Sequence, residues 1–305
     1  MEQINVKLLK RLERPEKKVD VVLDTDAYNE VDDQYALSYL IRSEDKLNLK
    51  AIYAAPFYNH KSESPADGME KSYQEIMHLL KLLDKKEYEK HVYRGSDRYL
   101  PDEKTPVRSD AAQHLAALAM EYTPEDPLYV IAIGAITNVA SAFLLNPKIT
   151  ERIVVIWLGG NAYHWPDNRE FNCEQDVAAA RVTFDSRAAL VQLPCMGVVS
   201  AFTTTQGELE YFLKGKNELC NYLLAITIEN GKHDSSYLTW SRVIWDVTAV
   251  AWLLNASFMQ DCLVPAPIVQ YDHHYSFNQN RHLIKYVYHI NRDALFADLF
   301  SKLAR

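Results

Sequence analysis

The chain has 305 residues and a mass of 35.1 kDa, with 48% apolar and 24% charged residues, a composition that excludes intrinsic disorder and collagen-like or mucin-like chains. Its net charge is −8 with a pI near 5.7, and Lys and Arg concentrate only in the Lys7–Lys18 region, so nucleic acid is not an expected partner. Apolar runs such as Leu128–Ile133 fall far below the roughly 18 residues of a membrane span, and residues 1–18 contain no apolar signal-peptide core. Cys173, Cys195, Cys220 and Cys262 are widely separated without CxxC spacing, which argues against a disulfide framework or a structural zinc site. A reducing cytoplasm is the expected location, with no membrane as partner.

Short, nearly continuous apolar runs alternate with segments of helical period. Val19–Leu23 predicts the first strand, Asp33–Arg42 a helix with Ala36, Leu37, Leu40 and Ile41 on one face, and Leu49–Ala54 a second strand. Further along, Met69–Leu83 and Ala111–Met120 have helical spacing, Leu128–Ile133 is strand-like, and Asn138–Leu145 is a helix stopped by Pro147. Ile153–Leu158 and Leu190–Met196 read as strands around a helix at Val177–Phe184. Residues 203–252 read as mostly helical; Ala266–Val269 and Leu283–Ile290 read as late strands before a final helix near Asp293–Leu303. Continuous apolar strands alternating with helices predict an α/β fold, an open and mainly parallel sheet flanked by helices. With no repeat or linker-like stretch, residues 1–305 read as one domain carrying a helical insertion in the C-terminal third.

In open parallel sheets, ligands bind beyond the carboxyl ends of the strands. There the first strand runs into Asp24-Thr25-Asp26-Ala27-Tyr28-Asn29-Glu30-Val31-Asp32-Asp33, placing four aspartates in one strand-to-helix loop. Such a set repels itself unless a cation or donors compensate, and all-oxygen ligands favour Ca²⁺ or Mg²⁺ over zinc. Helix capping accounts for one aspartate, or two, but not for Asp24 and Asp26 at the end of a buried strand. An EF-hand is excluded because its positions six and twelve fall on Asn29 and Tyr35. A phosphoryl-transferring DxD site lacks its later Gly-Asp pair, and no P-loop, dinucleotide fingerprint or nucleophile elbow occurs.

This strand-DTD-loop-DD-helix arrangement resembles the opening DxDxxxDD motif of the inosine-uridine nucleoside hydrolase family, with two extra residues between the second and third aspartates. The resemblance continues through Ala51–Asn59, through Ile133-Gly134-Ala135-Ile136-Thr137-Asn138 (TGPLTN-like), and through Leu158-Gly159-Gly160-Asn161 with Glu170-Phe171-Asn172 (MGG…EFN-like). It ends at Trp245-Asp246-Val247-Thr248-Ala249-Val250-Ala251, which is similar to HDPxAVA. The motifs run in the family's order from about Val19 to Ala251. The resemblance implies one Ca²⁺ held by Asp26, Asp33 and Asp246 and by the backbone carbonyl of Ile133, where a main-chain ligand tolerates Ile in place of the usual Thr. It implies that Asp32, Asn59, Glu170 and Asn172, with Asn161 in addition, hold the ribose, and that Asp24 supports the loop. The implied activity is hydrolysis of a ribonucleoside to ribose and free base, with Asp26 accepting the proton of the attacking water and carboxylates stabilising an oxocarbenium-like transition state. A homo-oligomer, dimer or tetramer, is expected as well.

The departure lies at Trp245, where many relatives carry a His that protonates the leaving base. An indole N–H cannot serve as that acid, so Trp245 is expected to contact the substrate without donating a proton. Either the base is activated by aromatic stacking or another donor, with Tyr163, His164, Trp165, Trp240, His233 and His274 as candidates, or the leaving group needs no acid. Each of these, like His114, has the competing reading of a packed or surface residue. The alternatives to a ribonucleoside hydrolase are a metal-dependent riboside-binding protein without turnover and a hydrolase of a modified or other N-riboside.

Overall fold

A computed structural model describes residues 6–305 apart from positions 235 and 238. These two positions, within the segment expected to be mostly helical, and residues 1–5 lie outside the described residues.

The strands are β1 (Val19–Thr25), β2 (Leu47–Ala54), β3 (Val92–Arg94), β4 (Leu128–Ala132), β5 (Ile153–Leu158), β6 (Ala189–Leu193), β7 (Thr203–Thr205), β8 (Ser241–Val243), β9 (Met259–Pro265), β10 (Ile268–Val269), β11 (Tyr275–Ser276) and β12 (Leu283–Ile290). The helices are α1 (Val6–Arg11), α2 (Asp32–Ile41), α3 (Pro65–Leu82), α4 (Asp110–Leu118), α5 (Thr137–Leu145), α6 (Phe171–Gln175), α7 (Val177–Asp185), α8 (Gln206–Leu213), α9 (Glu218–Asp234), α10 (Val247–Ala251) and α11 (Arg292–Leu303). Eight strands form the central sheet in the order β3-β2-β1-β4-β5-β6-β12-β9, parallel throughout except that β9 runs antiparallel to β12. The α/β class expected from the sequence is the class observed.

Alternate residues of each strand feed two cores. Val21 and Leu23 of β1 join a core with α2, α3, α9, α10 and α11, while Val22 joins one with α4, α5 and α7 on the opposite face. Both faces are therefore covered, which is why β1, β4 and β5 read as unbroken apolar runs. The chain winds outward from β1 to β2 and β3 and, in the other direction, from β4 to β5 and β6. The connections reverse between β1 and β4, and this switch point opens a crevice at the carboxyl ends of those two strands.

Several boundaries differ from the sequence expectation. Pro194 cannot donate to the ladder, so β6 ends at Leu193 rather than at Met196. The 203–252 segment is not helical throughout, because Thr203–Thr205 pairs antiparallel with Ser241–Val243. Ile268–Val269 leaves the main sheet and pairs with Tyr275–Ser276. Strands β3 and β9 were not expected, the first because it has three residues and the second because it is a half-exposed edge carrying Gln260 and Asp261. Among the described residues no helix is long and apolar enough to cross a membrane.

Candidate active site

The acidic loop sits in the crevice at the switch point. Thr25 is in register with Ala54 of β2 and Asp24 with Ala132 of β4, so the sheet fixes where the loop departs. Asp32 and Asp33 occupy the first turn of α2, but its N-cap is Val31 and no side chain caps it, so capping does not explain the aspartates. Asp246 opens α10, which packs against α2, and likewise makes no cap hydrogen bond. Asp32, Asp33 and Asp246 are buried and each offers a carboxylate oxygen, all within 4.8 Å of one another. Asp26 lines the same cavity, and its Oδ2 is buried without a hydrogen-bond partner.

The electrostatics follow from this crowding. Burial, and then the charges of Asp33 and Asp32, push the Asp26 carboxyl well above its usual range. Burial and the neighbouring carboxylates do the same to Asp32 and Asp246. Burial raises Asp33 to about 7 even though it accepts a short hydrogen bond from Thr25 and is hydrogen-bonded to Asp246. Arg242, ion-paired with Glu30, offsets Asp32 only in part. Four buried carboxylates with an orphaned oxygen fit a hard divalent cation, which would supply the missing counter-charge and coordinate oxygen alone. Of the implied ligands, Asp33 and Asp246 are brought together with Asp32, a residue the sequence placed at the ribose. Asp26 stands beside them.

The remaining residues of the expected site divide into two groups. Ile133, Asn161, Glu170, Asn172 and Trp245 line the cavity with the aspartates. The Asn172 amide donates to the carbonyl oxygens of Ile133 at 3.2 Å and Leu158 at 3.0 Å, which leaves the Ile133 oxygen a second lone pair for a cation. Asn161 is tied by its side chain to the Asp167 carbonyl and the Met196 N–H. Glu170 is the N-cap of α6. It accepts from the N–H groups of Gly160, Asn172 and Cys173 at 2.7, 2.9 and 3.0 Å and is approached by the Cys195 thiol, so most of its lone pairs are engaged. Asn59 does not line the cavity. Its amide donates to Asn29 Oδ1 at 2.6 Å, and Asn29 is the residue exposed to the cavity.

Gly134 and Gly160 give the motifs a physical basis. A Cβ on Gly134 would lie 3.0 Å from the Asp26 carboxyl, so glycine lets the β4–α5 turn approach the acidic loop. Gly160 has φ +75° and abuts the Tyr275 hydroxyl. Asp24 supports the loop from behind, accepting from Asn138 at 2.7 Å, with burial raising its carboxyl to about 7.

Sequence reasoning did not single out Asn29, Arg169, Cys195 or Met196 as cavity residues. Asn29 lies within the acidic loop, an uncharged residue between Asp26 and Asp32. Cys195 and Met196 follow β6, a carboxyl end at the same edge of the sheet.

None of the residues named as stacking or donor candidates lines this cavity. His164 and Trp165 are exposed, and Trp240 packs over Gly231. Tyr163 bonds Gln192, His274 meets Asp272, and His114 bonds Tyr53 and stacks on Tyr93. His233 lies parallel to His60 in a neighbouring cleft.

The profile of the inosine-uridine preferring nucleoside hydrolase family matches residues 21–297. An inosine-uridine preferring nucleoside hydrolase from Leishmania major is 25% identical over 178 residues, 57% of this chain, and the match spans only 56% of that relative's length. Among solved structures, a plant nucleoside hydrolase is similar with a TM-score of 0.76 at 19% identity, covering 95% of this chain and 99% of that one. A purine-preferring ribonucleoside hydrolase from Gardnerella vaginalis gives 0.74 at 17% identity, covering 93% and 98%. An inosine-uridine preferring nucleoside hydrolase from Bacillus anthracis gives 0.65 at 18% identity, covering 94% and 99%. These structural likenesses speak for the fold, and the profile match over most of the chain, with the acidic crevice at the switch point, means that the chain belongs to the inosine-uridine preferring nucleoside hydrolase family.

Proposed function

We propose that the chain hydrolyses the N-glycosidic bond of a ribonucleoside, releasing ribose and free base, and that it does so with Ca²⁺. The observation that carries this reading is the set Asp26, Asp32, Asp33 and Asp246, buried at the carboxyl ends of β1 and β4 with an oxygen of Asp26 unpaired. Asp33, Asp246 and Asp26, with the Ile133 carbonyl, would hold the ion, and Asp32 is close enough to share in it. Bound there, Ca²⁺ supplies a site for the ribose diol and for a water of lowered pKa.

Asp26 takes the proton of the attacking water through its unpaired oxygen. The surrounding carboxylates stabilise the positive charge that develops on the sugar more than they stabilise the neutral substrate. Asn29 and Asn172 line the ribose side, Asn172 through its Oδ1 because its N–H groups are engaged by the Ile133 and Leu158 carbonyls, while Asn161 shapes the wall and Glu170 holds the Gly160 and Asn172 backbone in position. Trp245 covers the leaving-group side with a ring that packs but gives no proton.

Asp26→Asn separates water activation from sugar binding. Ribose release should fall by at least about 10²-fold to 10⁴-fold while binding of ribose remains detectable. Turnover near that of the unmodified chain would show that another group is the base.

A further inference from the structure

A second cleft adjoins the acidic cavity, and Glu30 lines both. It lies between α2, the β2–α3 connection, α3 and α9, and its polar wall is rich in acceptors. Gln34 is 3% exposed, and its Oε1 has no hydrogen-bond partner; Asn230 Oδ1 is likewise buried and unpartnered. Glu75 and Glu229 add carboxylates to the same wall. Among the described lining residues, Glu75 accepts from the Tyr222 hydroxyl, Glu30 is ion-paired with Arg242, and the basic side chain on the wall is Lys61. His60 and His233 contribute flat parallel rings, 6.2 Å between centroids with planes 9° apart. Such a wall suits a flat ligand that brings N–H donors or positive charge.

The acidic cavity points the same way. Its lining among the described residues contains no His, Lys or Tyr. Arg169 is a guanidinium paired with Glu174, and burial makes the Cys195 thiol a poor acid. With the aspartates committed to a cation, Glu170 accepting from three backbone N–H groups and Glu30 ion-paired with Arg242, a neutral purine or pyrimidine leaving from this cavity would depart as an anion into a field of carboxylates. A heterocycle that already carries a fixed positive charge departs neutral.

Resting on the N-riboside hydrolysis proposed above, we infer that the preferred substrates are N-ribosides of permanently cationic heterocycles, pyridinium or N-alkylated purinium rings, with ribose in the acidic cavity and the charged ring beside Trp245 and toward the second cleft. The water oxygen bonds to the anomeric carbon and its proton passes to Asp26. The C–N bond breaks with its electron pair going to the ring nitrogen, which cancels the ring's charge. The products are ribose, a neutral heterocycle and one proton, and no acid is needed on the leaving side.

The test has a kinetic arm and a binding arm. For the Ca²⁺-loaded chain, kcat/KM for 7-methylguanosine should exceed that for guanosine by at least about 100-fold, the scale of the acid catalysis the neutral base lacks. Charged rings are intrinsically better leaving groups, so binding is read separately with unreactive ligands. Calorimetry should find 1-methylnicotinamide bound about 10-fold tighter than nicotinamide, and Glu229→Gln or Gln34→Met should narrow that preference. Equal binding of the charged and neutral ligands, or equal kcat/KM for the two nucleosides, would overturn the inference. Absence of ribose release from every riboside, p-nitrophenyl riboside included, would instead overturn the hydrolase reading, and the binding arm would still decide the charge preference.

Discussion

Asn138 joins three parts of the site from a position with no exposure to solvent. Its amide nitrogen donates to Asp24 Oδ1 at 2.7 Å, and its oxygen accepts from the Ser96 N–H and hydroxyl at 2.8 and 2.9 Å. Asp24 Oδ2 already has no partner. Asn138→Ala therefore leaves the carboxyl wholly unpaired and strands the Ser96 N–H. At about 1–3 kcal/mol for each buried group left without a partner, the variant should lose about 3 kcal/mol of unfolding free energy in urea titrations. A loss below about 0.5 kcal/mol would mean that water replaces the amide. The letters of this network were visible in the IGAITN turn, but its geometry was not, because Ser96 and Asp24 meet Asn138 only through the sheet. The same holds for Glu170 and Asn59. Each was legible as a site residue, yet the N–H groups of Gly160, Asn172 and Cys173 that engage Glu170, and the Asn29 amide that stands between Asn59 and the cavity, converge in space alone.

Elements that bury both faces were the easiest to read. β5 matches its apolar run Ile153–Leu158 end to end, because every residue in it is buried and no polar alternation blurs the pattern. α2 and α5 begin one residue before their expected starts at Asp33 and Asn138. The illegible elements are those whose partners lie far away in sequence. β7 and β8 are three residues each and exist because Thr203 meets Val243 across the α8–α9 excursion. β9 is recruited to the sheet edge by β12, not by any apolar run of its own. The Glu30–Arg242 ion pair depends on that ribbon, since Arg242 lies on β8 and reaches back to the loop preceding α2. No local pattern in the sequence announces it.

At the scale of the whole molecule, the strand order and the acidic loop account for each other. The crevice opens where the connections reverse, and the chain places there a set of carboxylates whose burial is unfavourable without a counter-charge. Asp24 and Asp33 sit near 7 in the fold against 3.8 for an ordinary aspartate. A carboxyl raised on folding contributes stability that is complete below the unfolded value and is lost as pH rises through the folded one. Cation-free protein should therefore lose Tm between pH 5 and pH 8, and Ca²⁺ should raise Tm more at pH 8 than at pH 5. A Tm of chelated protein that rises across that interval would contradict this electrostatic picture.

If these carboxylates hold a divalent cation that serves hydrolysis of an N-riboside, ribose release measured with and without chelator must depend on that cation. With Ca²⁺ present, ribose and free heterocycle should appear in equal amounts; chelation should abolish both, and added Ca²⁺ should restore them. Ribose release unaffected by complete removal of divalent cations, or none from any N-riboside in their presence, would contradict that role.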